Sequence, residues 1–152
     1  MIALLLLACA APLDTSADGS TEHQLLKLAS VVGSVTVTAP LPEDTTGTLV
    51  VFLTTQPSSS AGTPHRAQVE TFVDAAEHDA TWEYSLTNIF PQEQPYYVGA
   101  LLDLDESTRY TATIDTTSGD LSTFPPGEGL LPVNLGSGEV LELHLELSEL
   151  IP

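Results

Sequence analysis

The chain has 152 residues, 21 of them acidic against only Lys27, Arg66 and Arg109, for a formal net charge of −18. A balance this acidic excludes nucleic acid as a partner, because phosphates need clustered Lys and Arg, and it disfavours electrostatic docking onto anionic lipid. The hydrophobic fraction of 42% is enough for a core, and a single cysteine permits no internal disulfide, so the fold stands on packing or on metal.

The opening, MIALLLLACAAP, places Cys9 directly behind an apolar run. Residues 2–7, followed by Ala8, Cys9, Ala10 and Ala11, have the layout of a secretory signal, h-region first and small-residue cleavage site second. Leu6-Leu7-Ala8-Cys9 resembles the lipobox of bacterial lipoproteins. That resemblance implies cleavage after residue 8, acylation of Cys9, and a mature chain of 152 − 8 = 144 residues. Several acyl chains, each buried methylene worth about 0.8 kcal/mol, would then hold the protein stably on a membrane. The apolar segment is short and no Lys or Arg precedes it. The competing reading is ordinary cleavage at Ala8-Cys9-Ala10, which would discard the cysteine and release a soluble chain. Cys9 is read here as the anchor, and the outer membrane or cell surface as the location.

Residues 9–30 follow as a tether, rich in small and polar side chains. Residues 25–29 fit either a helical turn or a lead-in strand. From Val31 the period becomes two: Val31, Gly33, Val35, Val37 and Ala39 alternate with Ser34, Thr36 and Thr38, a half-buried strand that Pro40 and Pro42 stop. Leu49, Val50, Val51, Phe52 and Leu53 are apolar on both faces and belong in the middle of a sheet. After a loop, Val69, Thr71 and Val73 fit a strand, whereas Val69, Phe72, Val73 and Ala76 fit a helix; the strand is the preferred reading. Trp82, Tyr84 and Leu86 mark another strand, and Val98, Ala100, Leu102 and Leu104 the face of a further one. Tyr110, Ala112 and Ile114 make a short strand. Leu131, Val133 and Leu135 lead through Gly136-Ser137-Gly138, read as a hairpin turn, into Leu141, Leu143, Leu145 and Leu147. There Glu142, His144 and Glu146 take the other face. Six to eight strands with Pro/Gly/Ser turns and no long helix predict an all-β chain. After the signal and tether, residues 31–152 form one antiparallel β-sandwich of the immunoglobulin-like or prealbumin-like kind.

Several stretches carry a family likeness: Tyr84-Ser85-Leu86-Thr87-Asn88-Ile89-Phe90-Pro91, Pro95-Tyr96-Tyr97-Val98-Gly99-Ala100, Asp103-Leu104-Asp105 and Gly119-Asp120-Leu121. They resemble the small prealbumin-like or carboxypeptidase-regulatory-like sandwiches of bacterial exported lipoproteins, over residues 33–147. The loops that follow the paired aspartates in that family are Gly- and Asp-rich, whereas this one reads Glu106-Ser107-Thr108-Arg109. The resemblance implies a non-catalytic module and names no ligand.

Asp103, Asp105, Asp115 and Asp120 gather around a loop that leaves a strand, and calcium takes six to eight oxygens from such a loop. An EF-hand is excluded, since Thr108 stands where its glycine belongs and Ile114 where its bidentate acid belongs. Solvated turn aspartates are the competing account. Glu142, His144 and Glu146 share a strand face, but side chains about 7 Å apart are too spread for one zinc ion. Trp82, Tyr84, Tyr96 and Tyr97 offer either a sugar-stacking platform or core packing, and the alternation favours the core. No catalytic motif is present in the sequence. The resulting expectation is a lipid-anchored envelope module, not an enzyme, which holds an envelope protein or a glycan. Its rival is a soluble secreted enzyme or carbohydrate-binding accessory domain.

Overall fold

The computed structural model describes residues 26–39, 41, 45–58, 63–64, 66–74, 81–105, 113–114, 117, 119–124 and 129–152. The expected signal, Cys9 and the expected tether up to residue 25 lie outside the described residues, as do Tyr110, Ala112 and Asp115. In chain order the strands are β1 (Ala29–Val37), β2 (Thr46–Thr54), β3 (Thr63–Pro64), β4 (Ala67–Asp74), β5 (Thr81–Ile89), β6 (Tyr96–Asp103), β7 (Thr113–Ile114), β8 (Leu121–Ser122), β9 (Leu131–Val133), β10 (Val140–Glu142), β11 (Leu145–Leu147) and β12 (Glu149–Leu150).

Two sheets pack face to face, so the fold is the expected all-β sandwich. One sheet runs β5, β1, then β10 and β11. The other runs β4, β2, β6, β8, β12, with β9 paired to the first half of β6. β3 and β7 form a separate two-stranded ribbon. The ambiguous stretch around Val69 is strand β4, paired antiparallel to β2 over its whole length. β1 begins at Ala29, two residues inside the expected tether.

The period-two positions meet between the sheets. Val31, Val35 and Val37 of β1, Leu49, Val51 and Leu53 of β2, Tyr84 and Leu86 of β5, Val98, Ala100 and Leu102 of β6, and Leu145 and Leu147 of β11 form one core. Each such aliphatic side chain contributes roughly 1.5–3 kcal/mol on burial. On β5 the alternation slips by one residue at Asn88, which has φ 60° and sits where the β1 register shifts. Asn tolerates that left-handed conformation, and the bulge returns Ile89 to the core.

The Gly136-Ser137-Gly138 turn does not close a hairpin. It carries the chain from β9 in one sheet to β10 in the other, with Gly138 at φ 73° accepting the tight reversal. The turn docks on the start of β1: Lys27 N donates to Ser137 Oγ at 2.9 Å and Gly138 N to Lys27 O at 3.0 Å. Because it crosses between sheets, the last long stretch arrives parallel to β1. β10 and β11 are one strand in register, interrupted at Leu143 and His144.

Gly33 causes the interruption. A Cβ built there would lie 1.8 Å from Leu143 O, so only glycine admits the carbonyl. Leu143 N still donates to Val32 O at 2.8 Å, and the inward-turned Leu143 O accepts the Tyr84 hydroxyl at 2.9 Å. Tyr84 is the direct cross-strand partner of Gly33, so the ring covers the bare backbone.

The second sheet is buried on both faces. Its far side carries Val50, Phe52, Leu101, Phe124, Leu130 and Ile151, with Phe52 and Phe124 edge to face at 6.2 Å. Period two marked only one face of β6, yet Leu101 is as buried as Leu102. Gly99 lies under this layer, and a Cβ there would stand 2.7 Å from Phe52 Cζ and 2.9 Å from Leu130 Cδ2.

Candidate functional site

Three strands of the second sheet bring polar side chains into one transverse row. Thr48 of β2 is the direct partner of Asp103 of β6. The β6–β8 register, Leu101 to Ser122 and Leu102 to Leu121, extends to place Asp103 opposite Asp120. Directly opposed residues share a face with Cβ atoms about 5 Å apart, so Thr48, Asp103 and Asp120 stand side by side beyond the apolar layer. All three are buried, at 3%, 0% and 1% exposure. Asp105, two residues past Asp103, is exposed and joins the group from the loop. Carboxylate oxygens of Asp103, Asp105 and Asp120 all lie within 4.8 Å of one another.

Backbone groups around the row hydrogen-bond to it and pack closely against it. Gly47 lets β2 approach closely, since a Cβ there would meet Asp103 O at 2.8 Å. Asp120 Oδ1 accepts Leu104 N at 3.0 Å, and its Oδ2 accepts Thr117 N at 3.0 Å. Ile151 N donates to Asp120 O, and Gly119 N to Ile151 O, both at 2.8 Å, so the C-terminal segment clasps the same turn. The Thr117 hydroxyl lies 3.0 Å from Asp105 Oδ2 and 3.0 Å from Asp120 Oδ2. A hydroxyl has one proton, so it serves only one of these two carboxylates at a time. Thr48 Oγ1, fully buried beside them, makes no hydrogen bond.

Of the four predicted aspartates, the structure brings Asp103, Asp105 and Asp120 together, and Asp115 lies outside the described residues. Thr48 and Thr117 carry no sequence signal of their own. Thr48 immediately precedes an apolar run, and only the strand register shows that it stands opposite Asp103.

A second grouping lies on the outer face of the other sheet. Ser34 Oγ and His144 Nδ1 are 2.8 Å apart, and His144 Nε2 is 3.5 Å from Glu142 Oε1. Serine, imidazole and carboxylate stand in a line, as in an acyl-transfer relay. Ser34 itself is buried, at 8% exposure, whereas the side chains of His144 and Glu142 are 66% and 74% exposed on the outer sheet face. An exposed pair of this kind is worth about 0–1 kcal/mol and is a surface contact. Glu142, His144 and Glu146 are the solvated outer face expected from the alternation.

The aromatic side chains are committed to packing. Tyr84 is in the core and Trp82 is half-buried against it. Burial pushes the Tyr84 phenol up to about 12. Tyr96 is buried with its hydroxyl donating to Phe90 O at 2.7 Å, and Tyr97 lies half-buried on the opposite face against the second apolar layer. No helix among the described residues is long and apolar enough to cross a membrane.

Comparison of the chain with protein-family models, with curated proteins and with solved structures gave no match.

Proposed function

We propose that the protein is an exported lipoprotein of the cell envelope, anchored through Cys9, which presents one non-catalytic β-sandwich to an envelope protein or glycan. The observation that carries this reading is where the sandwich starts. Cys9 follows an apolar run directly, and the first strand begins only at Ala29. The intervening stretch is rich in small and polar side chains, the composition of a spacer between an anchor and a folded body.

The sheet memberships differ from those of an immunoglobulin constant-type sandwich. An immunoglobulin constant-type sandwich keeps its first, second, fourth and fifth strands in one sheet. Here β1 shares a sheet with β5 and with β10 and β11, while β2, β4 and β6 occupy the other. Partner binding would use strand edges: β4 and β5 each pair on only one side among the described residues. Phe72 on β4 is 63% exposed, an apolar side chain available to a partner strand.

The test is metabolic labelling with an alkyne fatty acid in the native host, comparing the wild type with Cys9→Ser. The expected result is a labelled, detergent-partitioning protein in the wild type and neither property in the variant. An unlabelled native protein that retains Met1 would refute the anchor.

A further inference from the structure

We propose that Asp103, Asp105 and Asp120, together with the hydroxyl of Thr48, hold a calcium ion at the end of β6. The inference goes beyond the envelope reading and does not depend on the lipid anchor, because the sandwich alone builds the site.

Two independent observations support it. The first is the convergence of hard oxygen donors. Calcium binds oxygen at 2.3–2.6 Å, so two ligands on opposite sides of the ion are about 5 Å apart. The carboxylate oxygens lie within 4.8 Å of one another, so a single ion can reach all three. Magnesium demands near-ideal octahedral geometry and dehydrates reluctantly, so a cluster of three protein carboxylates suits calcium better. An all-oxygen set without imidazole or thiolate also disfavours zinc.

The second observation is Thr48. A buried hydroxyl without a partner costs free energy, and native folds leave few such groups. Thr48 Oγ1 is one, 97% buried by residue and placed directly opposite Asp103. A hydroxyl oxygen has lone pairs to offer a cation. Asp120 spends three of about four acceptor sites on Leu104 N, Thr117 N and the Thr117 hydroxyl, so it contributes one lone pair through Oδ1. Asp103 and Asp105 then supply most of the charge, with water and backbone carbonyls completing six to eight ligands.

The experiment is equilibrium dialysis of radioactive calcium against the full chain in detergent, for the wild type, Asp103→Asn and Thr48→Val. The wild type should bind one ion per chain, with a Kd of about 0.1–1 mM, the range of extracellular modules. Equimolar magnesium should not displace it. Asp103→Asn should weaken binding at least tenfold. Thr48→Val keeps the side-chain shape, so it should weaken calcium binding about threefold or more while raising the melting temperature of the ion-free protein. That opposition is what a liganding hydroxyl requires, and a merely misplaced threonine would not show the loss of affinity. Should Asp103→Asn fail to fold, Thr48→Val decides alone. Wild-type affinity in Thr48→Val, or the absence of saturable binding in the wild type at 10 mM calcium, overturns the proposal.

Discussion

Replacing Tyr84 by Phe tests the account of the split strand. The Tyr84 hydroxyl donates to Leu143 O at 2.9 Å, across a gap that Gly33 keeps open. Phenylalanine retains the ring in the core but leaves that carbonyl without its donor. An unsatisfied buried acceptor costs roughly 1–3 kcal/mol, so Tyr84→Phe should be less stable than the wild type by that amount at pH 7. The same side chain gives a second, independent handle. Burial pushes the Tyr84 phenol up to about 12, against an ordinary value of 10.0. The neutral form is thus favoured by folding. Its stabilisation is complete below pH 10 and is lost as pH rises towards 12, because the unfolded chain ionises first. Two pKa units correspond to about 2.7 kcal/mol in full, and about 2 kcal/mol of that is gone by pH 11.5. Urea unfolding followed by the fluorescence of Trp82 measures both effects, since Trp82 lies two residues along the same strand face. The wild-type advantage over Tyr84→Phe should be present at pH 8 and largely abolished at pH 11.5. Equal stabilities at pH 8 would refute the reasoning about the Leu143 carbonyl, and a difference that does not change with pH would refute burial as a barrier to ionising the phenol.

Three further substitutions probe the two layers and the surface. Gly99→Ala puts a methyl 2.7 Å from Phe52 Cζ and should cost about 1–3 kcal/mol in urea melts, because the ring can shift only against Phe124 and Leu130. Gly33→Ala should cost more than Gly99→Ala in the same assay, since its methyl meets a backbone oxygen at 1.8 Å and must push β10 and β11 off β1. Glu142→Gln should change stability by less than about 0.5 kcal/mol, because its contact with His144 is exposed, and a larger loss would show the outer face to be structurally engaged.

What the sequence made legible follows from the physics of period two. Val31, Val35 and Val37 face the core because alternation alone places them there, and the same holds for Leu145 and Leu147. The double-sided run at Leu49 to Leu53 announced a central strand, and β2 sits between β4 and β6. Alternation says nothing about which strand lies alongside, so the parallel approach of β10 and β11 was illegible and Gly136-Ser137-Gly138 was mistaken for a hairpin turn. Leu101 carries no signal of its own in the alternation, for a related reason. Its face is covered by Phe124, Leu130 and Ile151, which come from 20 to 50 residues further along the chain. The aspartates of the candidate site could be named from their oxygen chemistry. Thr48 could not, because its place beside Asp103 depends on a register between residues 55 positions apart.

The register that forms the core also determines where force from the tether would act. β1 is the interior strand of its sheet, held by β5 on one side and by β10 and β11 on the other. Under the lipid-anchor proposal the tether joins β1 at its N-terminal end, so a pull on the membrane side is directed along the strand. It then loads the hydrogen bonds to both neighbours in parallel, as shear, instead of peeling an edge strand bond by bond. The strand next to an anchor gains from lying inside the sheet. Closing a loop of about 110 residues to pair β1 with β11 adds only a logarithmic entropy cost. The consequence is kinetic: β1 cannot complete its sheet until β10 and β11 are available.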